Sequence, residues 1–250
     1  MKTIFILIKK EYLEYIREHK LIILVAVFAI LGISNPLIAK MTPWLFEQFL
    51  NDVSITIPIP TVIDSWMQFF KNIGQIALII FTIIFSNCIN REINQSTLIN
   101  LLTKGLKRQS VILSKFIALS SLWTILYVLS IVITWGYNCY YFTGYLANLP
   151  IALFALWLFG IFIISLIILG NLLIKNNYGG LLLAGIVMII GLFLNGFNIL
   201  SDYNPIVLFA NSNNIMTNTT ITCTINIIIT TILTIGCIIC SINIFNHQEV

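Results

Sequence analysis

The side chains that could do chemistry here are cysteines, histidines and a few carboxylates, and their spacing limits what they can do. Cys237 and Cys240 form a C-x-x-C pair. Such a pair binds zinc or runs thiol–disulfide exchange when a second pair or a histidine joins it. Neither does, and both cysteines lie inside an apolar run, where they read as small filler. Cys88, Cys139 and Cys223 are isolated, and His19 and His247 stand singly at the edges of apolar runs. Asp52, Asp64 and Asp202, with Glu47 nearby, would be the acid groups of a membrane-embedded, lipid-modifying enzyme if they gathered at one face. Solvated loop carboxylates are the plainer reading. No H-E-x-x-H, G-x-S-x-G or phosphate-binding G-x-x-x-x-G-K-[ST] occurs.

The elements that carry these residues are apolar. The chain has 250 residues, 59% hydrophobic and 9% charged, with a mean hydropathy of +1.00. That leaves too little polar surface to cover a soluble core. A span needs roughly 20 apolar residues. Six segments qualify: about 21–39, 72–90, 115–137, 151–174, 179–199 and 221–244. "IALIIFTIIF" and "IALFALWLFGIFIISLIILG" show no polar face, which suits lipid on all sides. The expected fold is an all-α polytopic membrane protein, a single transmembrane unit over 1–250. The apolar run Ile4 to Ile8 is too short for a cleavable signal peptide.

With the N-terminus inside, eleven of the thirteen Lys and Arg residues fall on the inner side; Lys40 and Lys71 alone fall outside. The positive-inside rule then places both termini in the cytoplasm of a cell-membrane protein. Pro36, Pro43, Pro58, Pro60, Pro150 and Pro205 fall at or near the outer side, with a long outer loop at about 40–71. The spans carry almost no charge, which argues against an ion-coupled transporter. Any uphill transport therefore needs energy from a partner. No nucleic-acid partner is expected. Small residues such as Gly160, Gly170 and the Gly180-x-x-x-Ala184 pair permit close helix packing.

Two inner elements could receive a partner. Residues 4–20, "IFILIKKEYLEYIREHK", form an amphipathic helix that should lie in the interface, with Lys9, Lys10 and Arg17 toward head groups and Tyr12 on the apolar face. In "REINQSTLINLLTKGLKRQSVILSK", residues 91–115, Asn94 can cap a short helix at 95–104. Its apolar stripe is Leu98, Leu101 and Leu102. Lys104 and Gly105 suit its C-terminus.

This second stretch resembles the loop after the second span in permeases of type V ABC exporters. That pattern is a Glu, three residues, Gly-Thr, three residues, Leu-Leu and a small polar residue, then Pro, Arg and Lys. Here Glu92 is the Glu, Ser96-Thr97 stands for Gly-Thr, and Leu101, Leu102 and Thr103 follow in register, with Arg108 and Lys115 beyond. Gly105 stands in place of the Pro, and Lys107 in place of a small residue. The resemblance extends to the plan: an elbow helix, six spans, and a Pro-containing re-entrant segment between spans five and six, where "NPIVLFANSNN" lies.

The resemblance implies a non-catalytic permease. It would pair with a second copy or a paralogue above two ATP-binding cassette subunits, which would carry the ATP and Mg. Glu92, Thr97, Leu98, Leu101, Leu102, Lys104 and Arg108 would then belong to the coupling segment, with Glu92 held by a base such as Arg91 or a partner residue. The substrate expected is an amphipathic peptide or a lipid-like molecule, as in the small peptide-export or peptide-immunity subgroup. The alternatives are the lipid-modifying enzyme and an accessory protein without transport.

The orientation has a direct check. In a cysteine-free background, an external thiol reagent should label cysteines placed at Asn51 and Asn213 but not at Asn100 or Asn177. Labelling at Asn100 would reverse the topology.

Overall fold

The computed structural model describes residues 2–49, 59–94, 106–144, 146–174, 176–196, 203–217 and 223–247. Helix α1, Lys2–Arg17, is amphipathic. It ends where His19 takes a left-handed conformation, φ 61°. Helix α2, Lys20–Phe49, runs 30 residues, or about 45 Å. It continues well past the end expected at 39 and takes in Pro36 and Pro43, so the outer loop expected at 40–71 is helical through Phe49. A proline strips the carbonyl four residues back of its donor. For Pro36 that carbonyl is Gly32 O, and the Thr134 hydroxyl donates to it at 3.0 Å. Gly32 lets the helices close to this distance: a Cβ there would lie 3.2 Å from Ile133 Cβ and from Ser130 O.

Helix α3, Val62–Asn72, starts on a Thr61/Asp64 capping box. A single π-helical stretch, Ile73–Ala77, follows, then α4, Leu78–Phe85. Together with α5, Asn90–Asn94, they make one membrane-length element, Val62–Asn94, ten residues longer at its start than the expected 72–90. Helix α6, Arg108–Tyr141, likewise exceeds the expected 115–137 at both ends. Helix α7 is Leu149–Leu173, α8 is Gly179–Asn195, and α11 is Thr224–His247. Between α8 and α11 the described residues form two short helices, α9, Val207–Ala210, and α10, Ser212–Thr217.

Among the described residues, five helical elements are long and apolar enough to cross a bilayer: 20–44, 62–94, α6, α7 and α11. This is a polytopic helical membrane protein. Helix α8 has 17 residues, about 26 Å, at the short end of spanning length.

Helix α7 corrects one expectation. Its sequence is apolar all round because protein, not lipid, surrounds it; 78% of its most apolar stretch is buried. The hub is aromatic. Trp123 of α6 lies so close to Gly160 that a Cβ there would sit 2.2 Å from Trp123 Cε2. Its indole donates to Trp157 O at 3.2 Å, and Tyr127 donates to Leu153 O at 2.9 Å. Phe28 and Phe81 meet Trp123 edge-on. On the other side of α7, a Cβ at Gly170 would lie 2.6 Å from Gly179 O. Gly160, Gly170 and Gly180 thus serve packing within this chain.

The Trp123–Gly160 contact yields a stability test. Gly160→Ala should cost about 1–3 kcal/mol by overpacking. Gly185→Ala, which has nothing within 4 Å, should leave the thermal midpoint in micelles where it is. Equal midpoints for the two variants would contradict the packing described.

Candidate functional site

The groups with chemistry gather at the end of the bundle where α1, α5 and the start of α6 meet. On α1, Ile8, Glu11, Tyr12 and Tyr15 share one face by helical spacing. That face is turned into the bundle. Tyr15 packs edge-on against Phe85 at 5.1 Å, and Tyr12 Oη lies 2.8 Å from Ser121 Oγ. Glu11 is carried in with them.

Inside, Lys115 is 2% exposed, Glu11 5% and Glu92 6%. Lys115 Nζ donates to Glu11 Oε1 at 2.9 Å and lies 3.2 Å from Glu92 Oε1. Lys10 Nζ pairs with the same Glu92 oxygen, with Glu14 at 3.4 Å and with Glu11 at 3.5 Å. Tyr15 Oη donates to Glu11 Oε2 at 3.2 Å. The carboxylates of Glu11, Glu14 and Glu92 lie within 4.8 Å of one another, close enough to share a cation. The ammonium groups of Lys10 and Lys115 are the cations they share.

Burial opposes the charge on Lys10, but the Glu92 carboxylate outweighs it and holds the ammonium above its ordinary pKa. Burial, reinforced by the Glu11 carboxylate, pushes the Tyr15 phenol well up. Buried ions survive only when paired and hydrogen-bonded. The cluster is therefore a clasp: Glu11 and Glu92 are balanced by Lys115 and Lys10, and a third carboxylate, Glu14, lies at its half-exposed edge.

Further contacts tie the rest of this end together. Glu18, just beyond α1, pairs with Arg91 and with Lys20 at 2.8 Å. Burial alone would raise its pKa, but Lys20 and Arg91 prevail and lower it. Asn90 Nδ2 donates to Ile174 O at 3.1 Å and Asn176 O at 2.7 Å, holding the α7–α8 turn. Arg108 donates to the last carbonyls of α11, Phe245 O at 2.8 Å and Asn246 O at 3.0 Å. A cation belongs at that end of a helix dipole.

Several expectations change here. Glu92 is held by Lys10 and Lys115, and Arg91 belongs to Glu18. Lys10, expected to face head groups, turns into the clasp; Lys9 and Arg17 are exposed. Asn94, expected to cap a helix at 95–104, is the last residue described on α5, and its amide nitrogen lies 3.4 Å from Asn177 Oδ1. Thr97, Leu98, Leu101, Leu102 and Lys104 lie outside the described residues, as does the expected helix at 95–104. Lys115, expected at the start of the third span, sits two turns inside α6 because the helix begins earlier, at Arg108.

Sequence reasoning missed Glu11 and Lys115 as a pair. The available signal was Glu11 on the apolar face of α1, between Ile8 and Tyr15. Among the acids considered for an enzyme, Asp64 is occupied by the α3 cap, accepting from Thr61 N at 2.7 Å and Thr61 Oγ1 at 2.8 Å. Asp52, Asp202 and the Glu47 side chain lie outside the described residues. All five cysteines are free thiols.

At the opposite end is a cavity of about 660 Å³ between α2, α3 and the short helices. Pro43, Met67, Phe70 and Phe209 give it apolar walls, and Lys71 and Asn213 give it polar ones. Phe209 reaches it across Gly74, within the π-helical stretch; a Cβ at Gly74 would lie 2.3 Å from Phe209 Cε2. Such stretches often mark functional positions.

A scan against models of known protein families finds no match to this chain. A search of curated proteins finds none either.

The clasp predicts a stability pattern. Lys115→Met leaves two buried carboxylates short of a cation and should cost about 3–5 kcal/mol. Adding Glu11→Gln should recover part of that loss, and exposed Lys9→Met should cost under about 0.5 kcal/mol. Chemical unfolding in micelles reads all three. The pH dependence has two signs. The raised Lys10 contributes below about pH 10.5 and is lost as pH rises through its folded value. The lowered Glu18 contributes above about pH 4.5 and is lost as pH falls through its own.

Proposed function

We propose that this chain is the membrane-spanning subunit of an ATP-driven ABC exporter. The observation that carries the reading is the clasp at the base of the segment between α5 and α6. Glu92 enters that segment and Lys115 leaves it, and the two meet at 3.2 Å. Both are bound to α1 through Lys10 and Glu11. A motor that pushes on residues 95–105 would therefore move α1, α5 and α6 as one body. A plain anchor helix has no need of buried ions.

In this reading α8 is the fifth of six spans, and α9 and α10 are the re-entrant segment. Buried Asn204 supports a fixed setting for that segment: its Nδ2 donates to Gly191 O at 2.6 Å, and its own carbonyl accepts from Asn226 at 3.1 Å. Both termini face the cytoplasm, and a second permease completes the pathway. ATP and Mg belong to the two cassette partners. The 660 Å³ cavity, apolar with a few polar groups, suits part of an amphipathic or lipid-like substrate, with a toxin or antimicrobial peptide favoured. The cavity wall and the clasp share the 62–94 element, so movement at one end can reach the other.

The test is at the coupling segment. Leu101→Ala with Leu102→Ala should leave an inserted, folded protein that no longer copurifies with an ATPase from native membranes. Glu92→Gln should keep the ATPase bound but reduce hydrolysis in lipid. Full copurification and full hydrolysis in the double-leucine variant would overturn the coupling role.

A further inference from the structure

Four polar residues of the 62–94 element, Asp64, Gln68, Lys71 and Gln75, recur at helical spacing and share one face. All four line the cavity of about 660 Å³. Asp64, Lys71 and Gln75 are exposed and Gln68 is half-exposed, so a ligand in the cavity can reach them. Against lipid such a face would be costly. Lys71 has no carboxylate within ion-pair distance among the described residues. Asp64 uses Oδ2 for the α3 cap, accepting from Thr61 N and Thr61 Oγ1. A carboxylate offers about four acceptor sites, so it keeps its charge and room for another donor.

The depth of these groups is set by the element. Lys71 lies 21 residues before Glu92, roughly 32 Å along the helix. That is about one hydrocarbon thickness, so with the clasp at one boundary Lys71 stands near the other. Asp64 lies roughly 10 Å further out. Phe209, packed over Gly74, lies on the hydrocarbon side of Lys71. The cavity therefore presents an apolar wall, then a cation, then an anion toward water. Helical side chains lean toward the N-terminus, so Lys71 leans toward Asp64 and narrows the gap between the two charges.

This order selects a ligand. Asp64 and Lys71 are the charged residues that line the cavity among those described, so the lining is neutral overall. An anionic amphiphile would suit Lys71 and meet Asp64 as a like charge. A cationic one would do the reverse. An uncharged one would gain nothing from either. The match is an amphiphile with its anion next to the chain and its cation beyond it. A zwitterionic phospholipid is built this way, with the phosphate nearer the acyl chain and the ammonium outermost.

We propose that this cavity binds a zwitterionic phospholipid, its acyl chain against Phe70 and Phe209, its phosphate on Lys71 and its ammonium at Asp64. Gln68, between the two charged residues, can donate to the phosphate. The proposal names the lipid class for the substrate site of the exporter and rests on that reading for transport. Binding needs no motor, so it is measured on this chain alone, and its failure leaves the ATPase test untouched.

The probe is tritiated palmitoyl-lysophosphatidylethanolamine, counted by scintillation proximity on the purified chain in dodecyl maltoside micelles. Saturable counts are expected, displaced by the unlabelled lipid. Lysophosphatidylglycerol keeps the phosphodiester and the chain but lacks the ammonium, and should compete at least about tenfold more weakly. Lys71→Gln should lower affinity at least about tenfold, and Lys9→Gln, at the opposite end, should leave it unchanged. Asp64→Asn should erase the preference over lysophosphatidylglycerol, a change of selectivity that a weakened cap would not produce. Counts that rise without saturation, as in simple partition into the micelle, would overturn the proposal. Equal competition by the two lysophospholipids would also overturn it, and both readouts use the unaltered protein. Saturable binding of a tritiated amphipathic helix of Leu and Lys, without saturable lysolipid binding, would overturn it in favour of a peptide.

Discussion

The arrangement of this end of the protein depends on one constraint: the buried carboxylates of Glu11 and Glu92 and the buried ammonium of Lys115 must be neutralised, with half-exposed Lys10 supplying the second positive charge. Lys115 cannot be buried in α6 without Glu11 and Glu92, and Glu92 cannot be buried in α5 without Lys115 and Lys10. Since the groups come from three separate elements, the requirement fixes their relative positions. It holds an amphipathic helix against the bundle, where its composition alone would let it lie on lipid. The apolar contacts of Tyr15 with Phe85 align the same face. Ion pairing gives direction, and packing gives area.

The same accounting explains the rest of the bundle. Backbone groups in a bilayer must be satisfied within the protein. Pro36 removes a donor from Gly32 O, and Thr134 replaces it from a neighbouring helix. Asn204 and Asn226 hold the irregular chain around Pro205 by bonding main-chain groups. Thr230 and Thr234 return their hydroxyls to carbonyls four residues back, so these two buried hydroxyls of α11 need no outside partner. Asn138, whose buried carboxamide has no hydrogen-bond partner among the described residues, is an exception to this economy.

Much of the fold could be read from residue order. Apolar runs of spanning length gave the helices of a polytopic membrane protein, and Gly and Ala at close spacing gave their packing sites. Boundaries were harder, because proline is a weak stop where a neighbouring helix supplies the lost hydrogen bond; α2 passes through Pro36 on that account and runs on through Pro43. Apolarity all round α7 could mean lipid or protein, and periodicity cannot separate the two. Glu92 and Lys10 were visible as charges of interest, but their partner was not. Lys115 is more than twenty residues from Glu92 and about a hundred from Glu11, and only the three-dimensional path joins them. The orphaned Asn138 has no sequence signature, since most buried asparagines are satisfied.

The most direct test of the clasp is hydrogen exchange of the α1 amides in lipid nanodiscs, comparing the unaltered chain with Lys115→Met and Lys9→Met. Lipid burial alone would protect α1 equally in all three. If the ion cluster docks the helix, exchange across residues 8–16 should accelerate at least about tenfold in Lys115→Met and stay unchanged in Lys9→Met. Equal protection in Lys115→Met would show that α1 is held by lipid and that the clasp does not organise this end of the protein.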